Sequence, residues 1–206
     1  MPSVRSLLAI ALAGFFLGPI GDQIHVRTGT LSYAHPWLLG QAWWVGPQFA
    51  IAFVLIGVGG VLIDRQFHQR LVPSHSAPVA IQIIGFVGAY LLSGLLHDWP
   101  WAVAALLVTF MLVRALPTIG DPDRAMLVTG LVLLVGGTVY EAIMSEHRNA
   151  FTYEHPHIGG APIWLPLLYA SGAPLAIKLA RRVSRNARGE NAEIAELVPP
   201  APLHDV

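Results

Sequence analysis

The sequence predicts an all-α polytopic membrane protein with six transmembrane helices and both termini in the cytoplasm. Three observations carry that prediction. Of 206 residues, 54% are hydrophobic and only 12% are charged, against about 25% charged in an ordinary soluble domain. The apolar residues gather into runs of the length that crosses a bilayer, for which roughly 20 helical residues suffice. Threading those runs alternately through a membrane puts Arg5, Arg65, Arg70, Arg114, Arg124, Lys178, Arg181, Arg182, Arg185 and Arg188 on one side, with only Arg27 and Arg148 opposite. Lys and Arg collect on the cytoplasmic side, and one miscounted span would scramble the split.

Composition excludes other classes. A formal net charge of zero leaves no basic field for nucleic acid. The absence of cysteine removes disulfides, thiolate metal sites and thiol catalysis. Arg far outnumbers Lys beside abundant Ala and Gly, a composition that points to a GC-rich, bacterial source.

The first span, about 6–21, follows a short positive start. It reads as a helix or as a secretory leader; the helix is preferred because the small pair Ala11 and Ala13 lies inside the apolar run. A cleaved leader would leave the same charge bias. Asp22 to Gln41 reads as a polar connection holding His25, Arg27 and His35. The second span, 42–63, starts with Trp43 and Trp44, whose rings suit the headgroup boundary, and has Pro47 in a first turn that has no amide bond to lose. Gly57, Gly59 and Gly60 in its body let another helix come close.

In the third span, 78–96, Gly85, Ala89 and Ser93 recur every four residues and share a face, which can serve packing within the chain or a homo-oligomer seam. The short link His97-Asp98 makes it an antiparallel hairpin with the fourth span, 99–116. The fifth, 125–144, ends with Tyr140 and Glu141, and the acid is expected at the water boundary. A polar connection with Glu146, His147, Arg148, Glu154, His155 and His157 leads to the sixth, 163–179, where Pro166, Gly172 and Pro174 can each bend the helix. Residues 1–182 thus form the transmembrane domain and 183–206 a cytoplasmic tail expected to be disordered. No internal repeat is visible.

Several short motifs resemble the Insig family, six-helix sterol-responsive proteins of the endoplasmic reticulum. Ala42-Trp43-Trp44-Val45-Gly46-Pro47 is similar to the family's Ala-Trp-Trp-Val-Pro-Pro, and Gln23-Ile24 sits upstream like a Gln-Ile pair there. Leu62-Ile63-Asp64-Arg65 resembles the Cys-Ile-Asp close of the second helix. Trp164-Leu165-Pro166 with Ser171-Gly172 resembles Ser-Trp-Leu-Pro and the small residues after it. The family's fourth helix ends in Trp-Trp-Thr-Phe-Asp, whose aspartate engages a protein partner; Leu112-Val113-Arg114-Ala115 stands here instead, with Asp121 the nearest acid. The resemblance therefore implies the fold and lipid binding, and does not extend to the family's eukaryotic protein partners. It implies residence in a bacterial plasma membrane, or in the endoplasmic reticulum if the source is eukaryotic.

The expected function is non-catalytic binding or sensing of a neutral amphiphile, sterol-like or diacylglycerol-like, in an intramembrane pocket, without cofactor or metal. Its expected contacts are Trp44, Gln48 and Phe53 on the second span, Gln82, Phe86 and Tyr90 on one face of the third, and Trp164 and Tyr169 on the sixth. An amide within lipid must find a partner, and no Lys or Arg lies mid-membrane to meet an anionic head. The alternative is a membrane metalloenzyme using the outer histidines and carboxylates, among them Asp22, His25, His35, His97, Asp98, His155 and His157; no HExxH or histidine-box spacing supports it. A transporter or channel lacks a mid-membrane charged pair or an inverted repeat.

Overall fold

The computed structural model describes residues 2–67, 78–115 and 123–183. Helix α1 covers Val4–Thr28 and begins on Ser3, whose hydroxyl accepts from the Ser6 amide at 3.2 Å. It closes at Gly29 with φ 82, a backbone state that glycine adopts without a Cβ clash. Strand β1 (Leu31–Tyr33), α2 (Val45–Phe67), α3 (Val79–Leu95), α4 (Pro100–Ala115) and α5 (Arg124–Ala142) follow. A π-helical turn, Ile143–His147, continues α5, then come β2 (Phe151–Tyr153) and α6 (Leu165–Ser171). After a turn at Gly172 the chain is helical again over 173–183, so the sixth span consists of two helical pieces. Residues 184–206 of the tail expected to be disordered, together with Arg70 and Asp121, lie outside the described residues.

This is a polytopic membrane fold in which α1, α2 and the α5 rod are each long and apolar enough to cross a bilayer, while α3 and α4 are shorter apolar helices. Several boundaries differ from expectation. Asp22 and His25 are not in a polar connection: α1 carries them inside the bundle, where they are 9% and 2% exposed. Glu141 is not at the water boundary either, being 5% exposed. In each case partners within the protein replace water. The sixth span breaks at Gly172, as Gly172 and Pro174 suggest, since Pro174 has no amide to return to Ala170. Pro166 bends nothing, because it occupies the first turn of α6.

An internal repeat, contrary to the expectation of none, organises the fold. Residues 31–50 and 151–170 follow one path, each position matching the residue numbered 120 higher. The strands pair antiparallel with Ser32 opposite Thr152, its own equivalent, and the bonds beyond the ladder mirror each other: Ala34 N to Ala150 O and Glu154 N to Thr30 O, both 3.1 Å. Leu38 bridges Gln41 as Ile158 bridges Ala161. Leu39 and Gly40 (φ 53 and 84) match Gly159 and Gly160 (φ 56 and 74). With α1 equivalent to the α5 rod and α2 to the sixth span, the halves run the same way through the membrane about an axis along its normal. The α3–α4 hairpin lies between them in sequence and has no counterpart among the described residues.

Equivalent aromatic residues seat each half. Phe49 of α2 packs on Gly18 of α1, while Tyr169 of α6 packs on Gly137 of α5; a Cβ would fall 2.2 Å from the Phe49 ring at Gly18 and 2.4 Å from the Tyr169 ring at Gly137. The small-residue face of α3 serves packing within the chain: Ala89 and Ser93 are buried, and Gly85 faces Phe110 of α4. At the end of the bundle opposite the ribbon, Arg181 binds Asp64 of α2 at 2.7 Å and Asp123, the N-cap of α5, at 2.6 and 3.1 Å. One guanidinium thereby ties three spans. Gly137→Ala should cost about 1–3 kcal/mol through overpacking and lower the melting temperature in detergent, whereas Gly59→Ala and Gly136→Ala, which have no neighbour within 4 Å of the added methyl, should leave it unchanged.

Candidate functional site

Two features stand out: a polar core inside the bundle, near the axis of the repeat, and an open apolar groove on its side. In the polar core, Tyr33 donates to Asp22 Oδ2 at 2.6 Å and Gln41 donates to the same oxygen at 3.3 Å. In the second half Tyr153, the equivalent of Tyr33, donates to Glu141 Oε2 at 3.0 Å, and Tyr169 donates to Glu141 Oε1. The acids stand one position apart in the repeat, since Glu141 corresponds to Gly21. The strands aim both phenols inward, as their buried, exposed, buried pattern requires. Burial first, and then the neighbouring carboxylate, hold the Tyr33 and Tyr153 hydroxyls well above the ordinary tyrosine range, so both remain protonated donors. His25 completes the core: its Nε2 meets Ser93 Oγ at 2.9 Å, and its ring lies 5.1 Å from Tyr90 and 5.4 Å from Trp164.

The apolar groove, about 590 Å³ in volume, lies between α4, α5 and the sixth span and is open along one side, where Trp101, Val135 and Val139 are exposed. Its walls include Trp101 and Ala104 of α4, Leu134, Val135, Thr138 and Val139 of α5, and Pro166 and Leu167 of α6. The Thr138 hydroxyl donates back to Leu134 O at 2.6 Å, so its proton is not available to the groove. In the first half the equivalent of Val135 is Phe15, whose ring lies against Gly46, the equivalent of Pro166.

The expected contact residues are distributed unevenly. Gln48, Tyr90 and Tyr169 line one small cavity within the polar core. Phe86 packs edge-on against Tyr90, with ring centroids 5.2 Å apart, and reaches Gly172. Trp164 is fully buried beside His25, Trp44 lies edge-on to Tyr33 at 5.5 Å, Phe53 packs on Gly14, and Gln82 is buried on α3. None of the eight lines the apolar groove. Asp22, His25, Tyr33, Glu141 and Tyr153 were missed as core residues. The signal that could have found them is the repeated Tyr-x-His-Pro of residues 33–36 and 153–156.

On the outer face, His155 Nε2 and His97 Nε2 approach Asp98 Oδ1 at 3.2 and 3.5 Å, and His157 stands edge-on to Trp101 at 6.2 Å. Among the described residues no group of three or more His, Asp or Glu is arranged to hold a metal ion.

The chain has an Insig-like polytopic membrane fold. Two solved structures are similar in fold: a mycobacterial Insig homolog, MvINS from Mycobacterium vanbaalenii, and a cross-linked trimer of a cysteine variant of MvINS. Each matches with a TM-score of 0.70 and 22% sequence identity, over 89% of this chain and 96% of the other. No family model matches the sequence, and no curated protein matches it.

Tyr153→Phe and Tyr169→Phe each leave an oxygen of Glu141 without its donor, so each should destabilise by about 1–3 kcal/mol. Because both act on one carboxylate, the double variant should depart from additivity in thermal unfolding; simple addition would show that the two hydroxyls act separately.

Proposed function

We propose that this chain binds or senses a neutral amphiphilic lipid, sterol-like or diacylglycerol-like, without catalysing a reaction. The observation that carries the proposal is the groove of about 590 Å³ between α4, α5 and the sixth span, a volume within the roughly 300–1,000 Å³ of small-molecule sites. Its apolar walls suit an acyl chain or a ring system. They offer nothing to a head group, which therefore belongs at the outer end, where Trp101, His157 and Asp98 lie. Among the described residues no Lys or Arg lines the groove, so a neutral head fits better than an anionic one.

The residues expected from the sequence act from behind this site. Tyr169 fixes α6 beside the groove wall through Glu141, while Gln48, Gln82, Phe86 and Tyr90, with Trp44, Phe53 and Trp164, form the packed and polar core on which that wall rests. The fold it shares with a mycobacterial Insig homolog supports the lipid reading and a place in a bacterial plasma membrane. The cross-linked trimer of that homolog supports a homo-oligomer here.

Lipid extraction and mass spectrometry on protein purified in mild detergent tests the proposal. The wild type should retain one neutral lipid stoichiometrically, and Ala104→Trp, which fills the groove, should reduce it at least tenfold without unfolding the chain. Bulk phospholipid alone in the wild type, or full occupancy in Ala104→Trp, would refute the site.

A further inference from the structure

The polar core encloses a second, much smaller space. A cavity of about 20 Å³ is bounded by Asp22, Glu141, Tyr33, Gln48, Tyr90 and Tyr169 among others; a site of that size takes a single water-sized particle. Part of its lining is already satisfied, since Tyr33 and Gln41 donate to Asp22, and Tyr153 and Tyr169 donate to Glu141. Two lining groups are not. Gln48 Oε1 is fully buried without a hydrogen-bond partner. The Tyr90 hydroxyl, carried by a ring stacked on His25 and braced by Phe86, has none among the described residues either.

The charges decide what kind of particle fits. Two carboxylates face one enclosed space inside a membrane protein, where like charges repel strongly and an uncompensated charge is expensive. Among the described residues no Lys or Arg borders the cavity, and His25 is turned to Ser93. Every polar atom offered to the space is an oxygen or an amide, with no imidazole nitrogen and no sulfur. Oxygen donors select hard cations over zinc or copper. Mg²⁺ keeps several waters, and Ca²⁺ takes six to eight ligands, which a space for one particle does not provide.

We propose that this cavity binds one small monovalent cation, sodium, between Asp22 and Glu141, with Gln48 Oε1 and the Tyr90 hydroxyl oxygen as further ligands. The cation offsets one of the two acids' charges, the second acid remaining protonated or held by its tyrosine donors, and ties α1 to α5 at the axis of the repeat. This site is separate from the lipid groove.

The test is binding of ²²Na⁺ to the purified full chain, with thermal unfolding followed by tryptophan fluorescence in NaCl, KCl and choline chloride at equal ionic strength. One sodium per chain should bind saturably. At sodium one hundred times its Kd the melting temperature should rise by roughly 5–10 °C relative to choline, with a smaller rise in potassium. Asp22→Asn and Glu141→Gln, which keep side-chain size, should abolish the sodium-specific rise. Tyr90→Phe, a milder change, should weaken sodium binding at least several-fold even if the acid variants fail to fold. Equal melting in sodium and choline with no saturable ²²Na⁺ binding to the wild type would show a cavity that holds water only and would overturn the proposal, as would a sodium response unchanged in Tyr90→Phe. Neither result bears on lipid retention.

Discussion

The antiparallel contact between Leu31–Tyr33 and Phe151–Tyr153 is the constraint on which the bundle depends. A two-stranded ribbon of three residues a side has little stability of its own, so its order must come from what it is attached to. Its inward side chains supply that attachment. Tyr33 and Tyr153 are 8% exposed and end on Asp22 and Glu141, while Phe151 packs edge-on against both, at 5.8 Å from each. The ribbon sets the register of the two halves, and the acids hold the ribbon down. Removing either part leaves buried polar groups without partners, and the cost of such groups is what makes the arrangement specific.

The spans were legible from hydropathy because each apolar run is long and the basic residues mark one side. The Insig-like fold was legible from Trp43-Trp44, Trp164-Leu165-Pro166 and their order. The polar core was not. Asp22 and Glu141 read as water-boundary residues because a hydropathy window registers a charge and not the phenol that satisfies it, and those phenols lie beyond a helix end or a π-helical turn. For the same reason α1 runs past Asp22 to Thr28. The repeat was hidden because few positions between 31–50 and 151–170 are identical and the α3–α4 hairpin separates the halves. What the halves preserve is a backbone path with left-handed residues at fixed places, which several side chains can occupy.

Placement of the expected contacts was partly legible. The four-residue spacing of Gln82, Phe86 and Tyr90 identifies a face of α3, and that face turns inward in part, with Phe86 on Gly172 and Tyr90 on His25. The spacing carries no information about the groove, which exists because α4 packs on α6 and not closely on α5. That packing is long-range and leaves no periodic trace in the residues that line it.

The match between halves also bears on how many ligands a chain can hold. A frame with near two-fold symmetry offers two equivalent hollows, yet the side chains treat them differently. In the first half Phe15 lies against Gly46 where the second half has Val135 and Pro166, and only the second is roofed by Trp101 and Ala104 of α4. A large ring fills the first hollow and a smaller side chain leaves the second open, so duplication of the scaffold has not duplicated this groove, which lies on the side that the unduplicated hairpin covers.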